Sequence, residues 1–269
     1  MWAVPRAIWS GAISFGLVSV PVRMFTATES KELRFHFLDR KSMAPIGYDK
    51  VNKETGKHVE PDDIVRGFEV AKGQYVELTD EDIDRLDVEL THAIDICDFV
   101  SIDEIDPIFF RKAYYLLPQD GAEKPYRLLV RALDETGRVA IAKVVIRNKQ
   151  HLACVRASGK TLVLETMYYA DEVRQPEDAP APQVQKAEVE MAKTLVENLT
   201  ASWDPERYHD RYRSELLDLL QKKAKGKPLP EPEEDEGGDV VDLMEALRQS
   251  VAATKTKAKR KPARKRKAS

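Results

Sequence analysis

Cysteine is scarce, with only Cys97 and Cys154 in 269 residues. The two make no CxxC pair and sit in alternating apolar segments, which excludes a disulfide scaffold and a thiolate metal centre. They are expected to be reduced core thiols of a cytoplasmic protein. Long apolar runs are missing too, so no stretch is expected to span a bilayer and no membrane partner is expected. Arg6 and the run after it resemble the start of an export signal. Ser10, Gly11, Ser14, Gly16 and Ser19 dilute that run, however, and Pro21 and Phe25 spoil the cleavage positions.

Catalytic motifs are equally sparse. No HExxH, HxH or G-x-S-x-G spacing occurs, and Ser158-Gly159-Lys160-Thr161 lacks the leading glycine of a phosphate-binding loop, so it is expected to be a hairpin turn. Five histidines (36, 58, 92, 151 and 209) and the carboxylate groups Asp62-Asp63, Asp80-Glu81-Asp82 and Asp103-Glu104-Asp106 are the only metal-ligand candidates. The acids fall at turns and helix starts, where carboxylates cap free N–H groups. The expectation is a protein that is not an enzyme, with no catalytic residue, no metal and no cofactor. The competing enzyme reading is a metal-dependent nuclease or phosphoryl-transfer enzyme that uses these carboxylates.

Charge is plentiful, and it is segregated. Nine of the 43 Lys and Arg, namely Lys255, Lys257, Lys259, Arg260, Lys261, Arg264, Lys265, Arg266 and Lys267, fall in the last sixteen residues without one acid, leaving 34 basic against 46 acidic residues in the body. Such a tail is expected to be disordered and to bind nucleic acid without sequence preference, and a tail-driven DNA-coating protein is therefore a further alternative. Within the acidic body, residues 124–160 hold nine basic residues against Asp134 and Glu135. These include Lys124, Arg127, Arg131, Arg147 and Lys149, and read as a polyanion-binding stripe. Residues 34–72 add Arg34, Lys50, Lys53, Lys57, Arg66 and Lys72, diluted by nearly as many acids.

Apolar periodicity gives a mainly β, α+β architecture. Residues 6–24 alternate and then change parity beside Gly16, which predicts one founding strand, bent or bulged there, in a curled sheet or barrel. Strands are predicted over 32–38, 73–78, 93–102 and 107–117, with a long projecting hairpin over 39–61 and a capped helix starting at Thr79. Tyr126, Leu129, Val130 and Leu133 fall at i, i+3, i+4 and i+7, a helix stopped by Gly137, and three strands of a meander follow over 138–169. A proline-rich linker over 172–182 leads to two helical stripes, Val189 to Leu199 through Leu195, and Tyr208, Tyr212, Leu216, Leu219 and Leu220, on either side of Trp203. They are too few to enclose a core and need the barrel or a second copy to cover them. After an acidic linker (225–238), Val240, Met244, Leu247 and Val251 form an isolated amphipathic stripe suited to a partner's groove.

Several long motifs in order carry a resemblance: RAIWSGAISFGLVSVPV at 6–22, DDIVRGFEVAKGQYVELTDEDI at 62–83, IDPIFFRKAYYLLP at 105–118, KPYRLLVRALDETGRVAIAKVVIRNKQHL at 124–152, EVEMAKTLVENLTASWDPERYHDRYRSELLDLL at 188–220 and DVVDLMEALRQSV at 239–251. The chain resembles bacterial Ku, the DNA-end-binding protein of non-homologous end joining, over almost its whole length. That resemblance implies a Ku-like β-barrel core (1–175) with a projecting bridge hairpin (about 31–75), and a helical dimerisation arm (176–224). It also implies a flexible linker (225–238), a short ligase-recruiting helix (239–252) and a basic tail (253–269). The implied partners are double-stranded DNA ends, held without sequence preference in a homodimeric ring, and the multifunctional ATP-dependent DNA ligase of end joining; the implied location is the nucleoid-associated cytoplasm. Leu195, Leu199, Trp203, Tyr208, Tyr212, Leu216 and Leu220 would serve dimerisation. Val240, Val241, Leu243, Met244, Leu247 and Val251 would bind the ligase. Where many relatives carry a more basic bridge of the kind R-I-R-Y-K-R-V-C, this chain has Ile46-Gly47-Tyr48-Asp49-Lys50-Val51-Asn52, which shifts the expected DNA contact toward Arg127, Arg131, Arg147, Lys149 and the tail.

Overall fold

Among the described residues there are nine strands, most of them with alternating apolar residues: β1 (Trp9–Phe15), β2 (Val18–Thr26), β3 (Arg66–Ala71), β4 (Gln74–Leu78), β5 (Ala93–Ser101), β6 (Phe110–Pro118), β7 (Arg138–Ile146), β8 (Lys149–Ser158) and β9 (Thr161–Met167). The structure is a computed structural model, and it describes residues 6–85, 92–147, 149–177, 179–226, 248 and 250–252. Seven strands close a barrel in the order β1-β2-β6-β9-β8-β7-β5, while β3 and β4 pair only with each other. Every barrel pairing is antiparallel except β1 with β5, where residues 12–14 run parallel to residues 93–95 and close the ring. The helices α1 (Asp80–Asp84), α2 (Glu123–Thr136), α3 (Lys186–Leu199) and α4 (Arg211–Ala224) accompany the strands.

Residues 6–24 are a hairpin rather than one bent strand. Phe15 pairs with Val18, and Gly16 takes a left-handed φ of 58°, which a glycine adopts without steric cost. The parity change arises because each arm of the hairpin turns its own alternate residues inward: Ile13 from β1, and Val20, Val22 and Met24 from β2, are fully buried. Gly11 has a separate reason to be glycine, since a Cβ there would collide with the His92 carbonyl and the Trp9 ring. The Trp9 indole N–H in turn donates to the Val145 carbonyl at 3.0 Å, tying β1 to β7.

α2 closes one end of the barrel. Its apolar face, Tyr126, Leu129, Val130 and Leu133, belongs to the same buried cluster as Ile13, Leu116, Val144 and Leu164. Burial of each such side chain stabilises by about 1.5–3 kcal/mol before the entropy of ordering it. The Tyr126 hydroxyl donates to the Leu116 carbonyl (2.7 Å) and accepts from the Leu162 N–H (2.8 Å), two residues that face each other across β6 and β9. The helix ends at Gly137, left-handed at φ 62°, whose N–H reaches the Leu133 and Asp134 carbonyls.

Three sequence expectations are corrected. Residues 32–38 form no strand, since the only pairing there is an isolated bridge between Leu38 and Pro45, and Phe35 and Phe37 are 64% and 72% exposed. Alternation alone did not suffice without a partner strand. β3 was not foreseen, because Gly67 and Glu69 break its apolar pattern. Cys97 is exposed: the β5–β7 register shifts between Ile96 and Asp98, and this bulge leaves Cys97 unpaired on the outside, whereas Cys154 is fully buried.

The chain divides into two compact units, Met1–Pro176 and Glu177–Ser269. In the second, α3 and α4 bury no residue. The Trp203 and Tyr208 rings stack at 5.3 Å between them in the sequence.

Candidate nucleic-acid interface

Residues 28–78 leave the barrel between β2 and β5 and bury nothing: Leu33 and Val59 are half-buried, and all the others are exposed. The excursion is held by local geometry instead of a core. The Asn52 carboxamide accepts from the Glu54 and Thr55 N–H groups, and the Asn52 N–H closes on the Lys57 carbonyl at 2.8 Å beside a Val51–His58 bridge. Asp39 makes a second such turn, accepting from Ser42 and Lys41, and these bonds hold its carboxyl below the usual carboxylate range. Beyond the β3–β4 hairpin, Thr79 and Asp82 form a reciprocal cap that starts α1 and likewise lowers the Asp82 carboxyl.

Arg34, Lys50, Lys53, Lys57, Arg66 and Lys72 are all exposed on this excursion, and only Arg66 is paired, with Asp80. The segment holds nine basic and ten acidic residues, so its net charge is close to zero and it is not a cationic strip. Apolar exposure is its stronger feature: Phe35, Phe37, Met43, Tyr48, Phe68 and Tyr75 are 64–80% exposed.

The basic stripe read over 124–160 is not one patch in space. Lys124, Arg127 and Arg131 lie on the exposed face of α2, at the closed end of the barrel, and Arg131 is paired with Glu135 at 2.5 Å, which pushes its guanidinium pKa further up. Arg147 and Lys149 flank the β7–β8 turn at the opposite end. Sequence spacing counted them together although the strand read over 138–147, which is β7, carries its two ends to opposite ends of the barrel.

At that second end Arg147 and Lys149 are joined by Arg111 and Lys112, at the start of β6, which sequence reasoning left out, and by His151 of β8, which it had weighed only as a metal ligand. The signal was present, since antiparallel β6, β9, β8 and β7 place the start of β6 and the β7–β8 turn at one rim. Burial, with Lys149 and Arg111 nearby, lowers the His151 pKa, and Glu172 opposes them weakly. Burial raises the Tyr114 hydroxyl against the pull of Arg147 and Arg111.

Leu195 and Leu216 are half-buried within the second unit, while Leu199, Trp203, Tyr208, Tyr212 and Leu220 are exposed. Val251 is helical and half-buried, and Ala187, Glu190 and Met191 of the α3 region line a cleft with it. Val240, Val241, Leu243, Met244 and Leu247, and the tail cations from Lys255 to Lys267, lie outside the described residues. Among the described residues no three His, Cys, Asp or Glu side chains gather closely enough to hold a metal ion, and no helix is long and apolar enough to cross a membrane. Burial pushes the Cys154 thiol up to about 12, with Glu165 adding to it.

A closed seven-strand barrel, plugged by a helix and interrupted by a long unburied excursion, defines the class as a β-barrel protein of mixed α+β content. Residues 14–191 match the family described as the Ku70/Ku80 beta-barrel domain, and the chain belongs to the Ku family. It is 42% identical over 266 residues to the Non-homologous end joining protein Ku of Opitutus terrae, covering 96% of both chains. The proteins of that name from Desulfitobacterium hafniense and Bacillus subtilis are 43% and 40% identical, covering 94% and 96% of this chain and 89% and 85% of theirs. A solved structure, the SPOC domain of human PHD-finger protein 3, covers 60% of this chain and 95% of its own at 11% identity and a TM-score of 0.30, a level that supports no conclusion.

Proposed function

We propose that the protein is a non-enzymatic adaptor of end joining: a homodimer that encircles double-stranded DNA ends without reading their sequence and recruits an ATP-dependent ligase. The observation that carries this reading is the excursion over 28–78, which exposes Phe35, Phe37, Met43, Tyr48, Phe68 and Tyr75 and buries nothing in a single copy. Large apolar side chains held out in water on a 51-residue arch are costly unless a partner covers them, and a second copy of the arch closes a ring. Its near-neutral charge suits an arch that surrounds DNA without gripping it, with cations elsewhere supplying phosphate contacts. Membership of the Ku family and the names of the relatives support the same assignment. In this reading the helices of the second unit clasp the other copy through Leu199, Trp203, Tyr208, Tyr212 and Leu220. Residues 239–252 dock on the ligase, and residues 253–269 add nonspecific affinity.

The test is a competition at two salt concentrations, in which labelled linear duplex bound by the full chain is challenged with equal masses of linear and covalently closed circular DNA. The linear competitor alone is expected to displace the label. Equal displacement by the circle would mean that no end is needed and would overturn the ring.

A further inference from the structure

The rim of the barrel at the end opposite α2 is cationic. On β6, Lys112 faces Thr166 at this end, and Leu116, whose carbonyl binds the Tyr126 plug, lies four residues further on, about 13 Å away at the rise of a strand. A cleft of about 320 Å³ opens here, at the small end of the range for ligand pockets. Arg111, Lys112, Arg147, Lys149 and His151 line it, with the buried Tyr114 ring among them.

Four features make this more than a solvated rim. Among the described residues no carboxylate lies within 4.0 Å of Arg111, Lys112, Arg147 or Lys149, although acids outnumber bases in the chain. Two of the cations are held in place by rings: the Arg111 guanidinium lies 5.5 Å from the Tyr168 centroid, and Lys112 Nζ lies 5.6 Å from that of Tyr114. Arg147, just after β7, has a left-handed φ of 52°, a conformation that favours glycine or asparagine, so an arginine stands there against its backbone preference. Finally, the His151 pKa is lowered by burial and by Lys149 and Arg111, and the Tyr114 hydroxyl makes no hydrogen bond.

We propose that this mouth seats a phosphate group. Two guanidinium forks and two ammonium groups around a cleft of this size match a compact, multiply charged oxyanion, which accepts bidentate hydrogen bonds from arginine. Its charge would offset the mutual repulsion of four unpaired cations. The phosphate comes either from a free small anion or from the DNA backbone, and because Arg147 and Lys149 also figure in the DNA reading, the experiment separates the two sources.

The full chain is titrated with pyrophosphate at constant ionic strength, with chloride as the control, while the histidine ring resonances are followed. Saturable binding with an upward shift of the His151 pKa is expected, and the other four histidines serve as references. Arg147→Gly, which relieves the left-handed backbone, and Lys149→Gln should each weaken pyrophosphate binding by about tenfold, the equivalent of one charge-assisted hydrogen bond. Arg138→Gln, at the opposite end of β7, should leave it unchanged. A non-saturable response, or equal weakening by Arg138→Gln, would overturn the seat. The same variants are then assayed on linear duplex. If pyrophosphate displaces the duplex and Arg147→Gly weakens both ligands alike, the seat takes a DNA phosphate. If Arg147→Gly loses pyrophosphate and keeps the duplex, it takes a free anion. If Arg147→Gly keeps both, the proposal fails.

Discussion

One oxygen joins the plug to the barrel wall. The Tyr126 hydroxyl is placed between Leu116 and Leu162 where the β6–β9 ladder would otherwise be bridged directly, and burial raises its pKa, so the donated proton is retained through the neutral range. Tyr126→Phe keeps the ring and leaves a buried carbonyl and a buried N–H without their partner. It should cost about 1–3 kcal/mol, read as a lower urea midpoint at unchanged slope; a variant as stable as the parent would show that the ladder closes without the hydroxyl. The two thiols are separated in the same way by their surroundings. Cys97 is exposed in the β5 bulge, whereas Cys154 is buried and its thiol is pushed up to about 12, so almost no thiolate forms there at pH 8. Since the thiolate is the nucleophile, a disulfide reagent at pH 8 should label one thiol in the native protein and two after unfolding. Labelling of both at one rate in the native state would contradict this.

Among the elements, core packing accounts for the clearest readings, although α3 and α4 were also legible from their apolar stripes while burying no residue. The stripe Tyr126, Leu129, Val130 and Leu133 is the buried face of α2, and the alternation over 138–169 became β7, β8 and β9, because core packing enforces the period that hydrophobic residues display. Over 28–78 the same alternation predicted a strand at Phe35 and Phe37 that does not form, since no neighbouring strand or core rewards it within one chain. The cationic rim was missed for another reason: Arg111 and Arg147 are 36 positions apart, and only the closed order of the barrel brings them to one end. The amphipathic stripe at 240–251 gives the sharpest test of an element without a core. If it docks on a ligase, Met244→Asp and Leu247→Asp should each reduce ligase stimulation by about tenfold or more, the scale of an interface anchor, and leave linear-duplex affinity unchanged. Equal loss of DNA binding would assign that helix to the fold.

At the scale of the whole molecule, the proposed ring and the basic tail would make separate contributions to DNA binding, one topological and one electrostatic, and they can be pulled apart. The body carries 34 basic against 46 acidic residues, and the last sixteen residues carry nine cations and no acid. A tail of this kind contributes affinity through counterion release, each neutralised phosphate adding about −0.9 to the slope of log K against log salt concentration. A closed ring contributes something that salt does not change, namely the need for an end through which to thread. Truncation after Ala253 should therefore flatten the salt slope by several units and weaken binding at low salt, while the preference for linear over circular competitor persists. The two quantities come from one set of titrations, with full-length and truncated chains at three salt concentrations. If the truncated chain loses its linear preference along with its slope, the tail and not the barrel with its arch governs binding, and the protein coats DNA. If slope falls and preference stays, end selection resides in residues 1–253 and not in the tail, with the unburied arch over 28–78 as its proposed determinant.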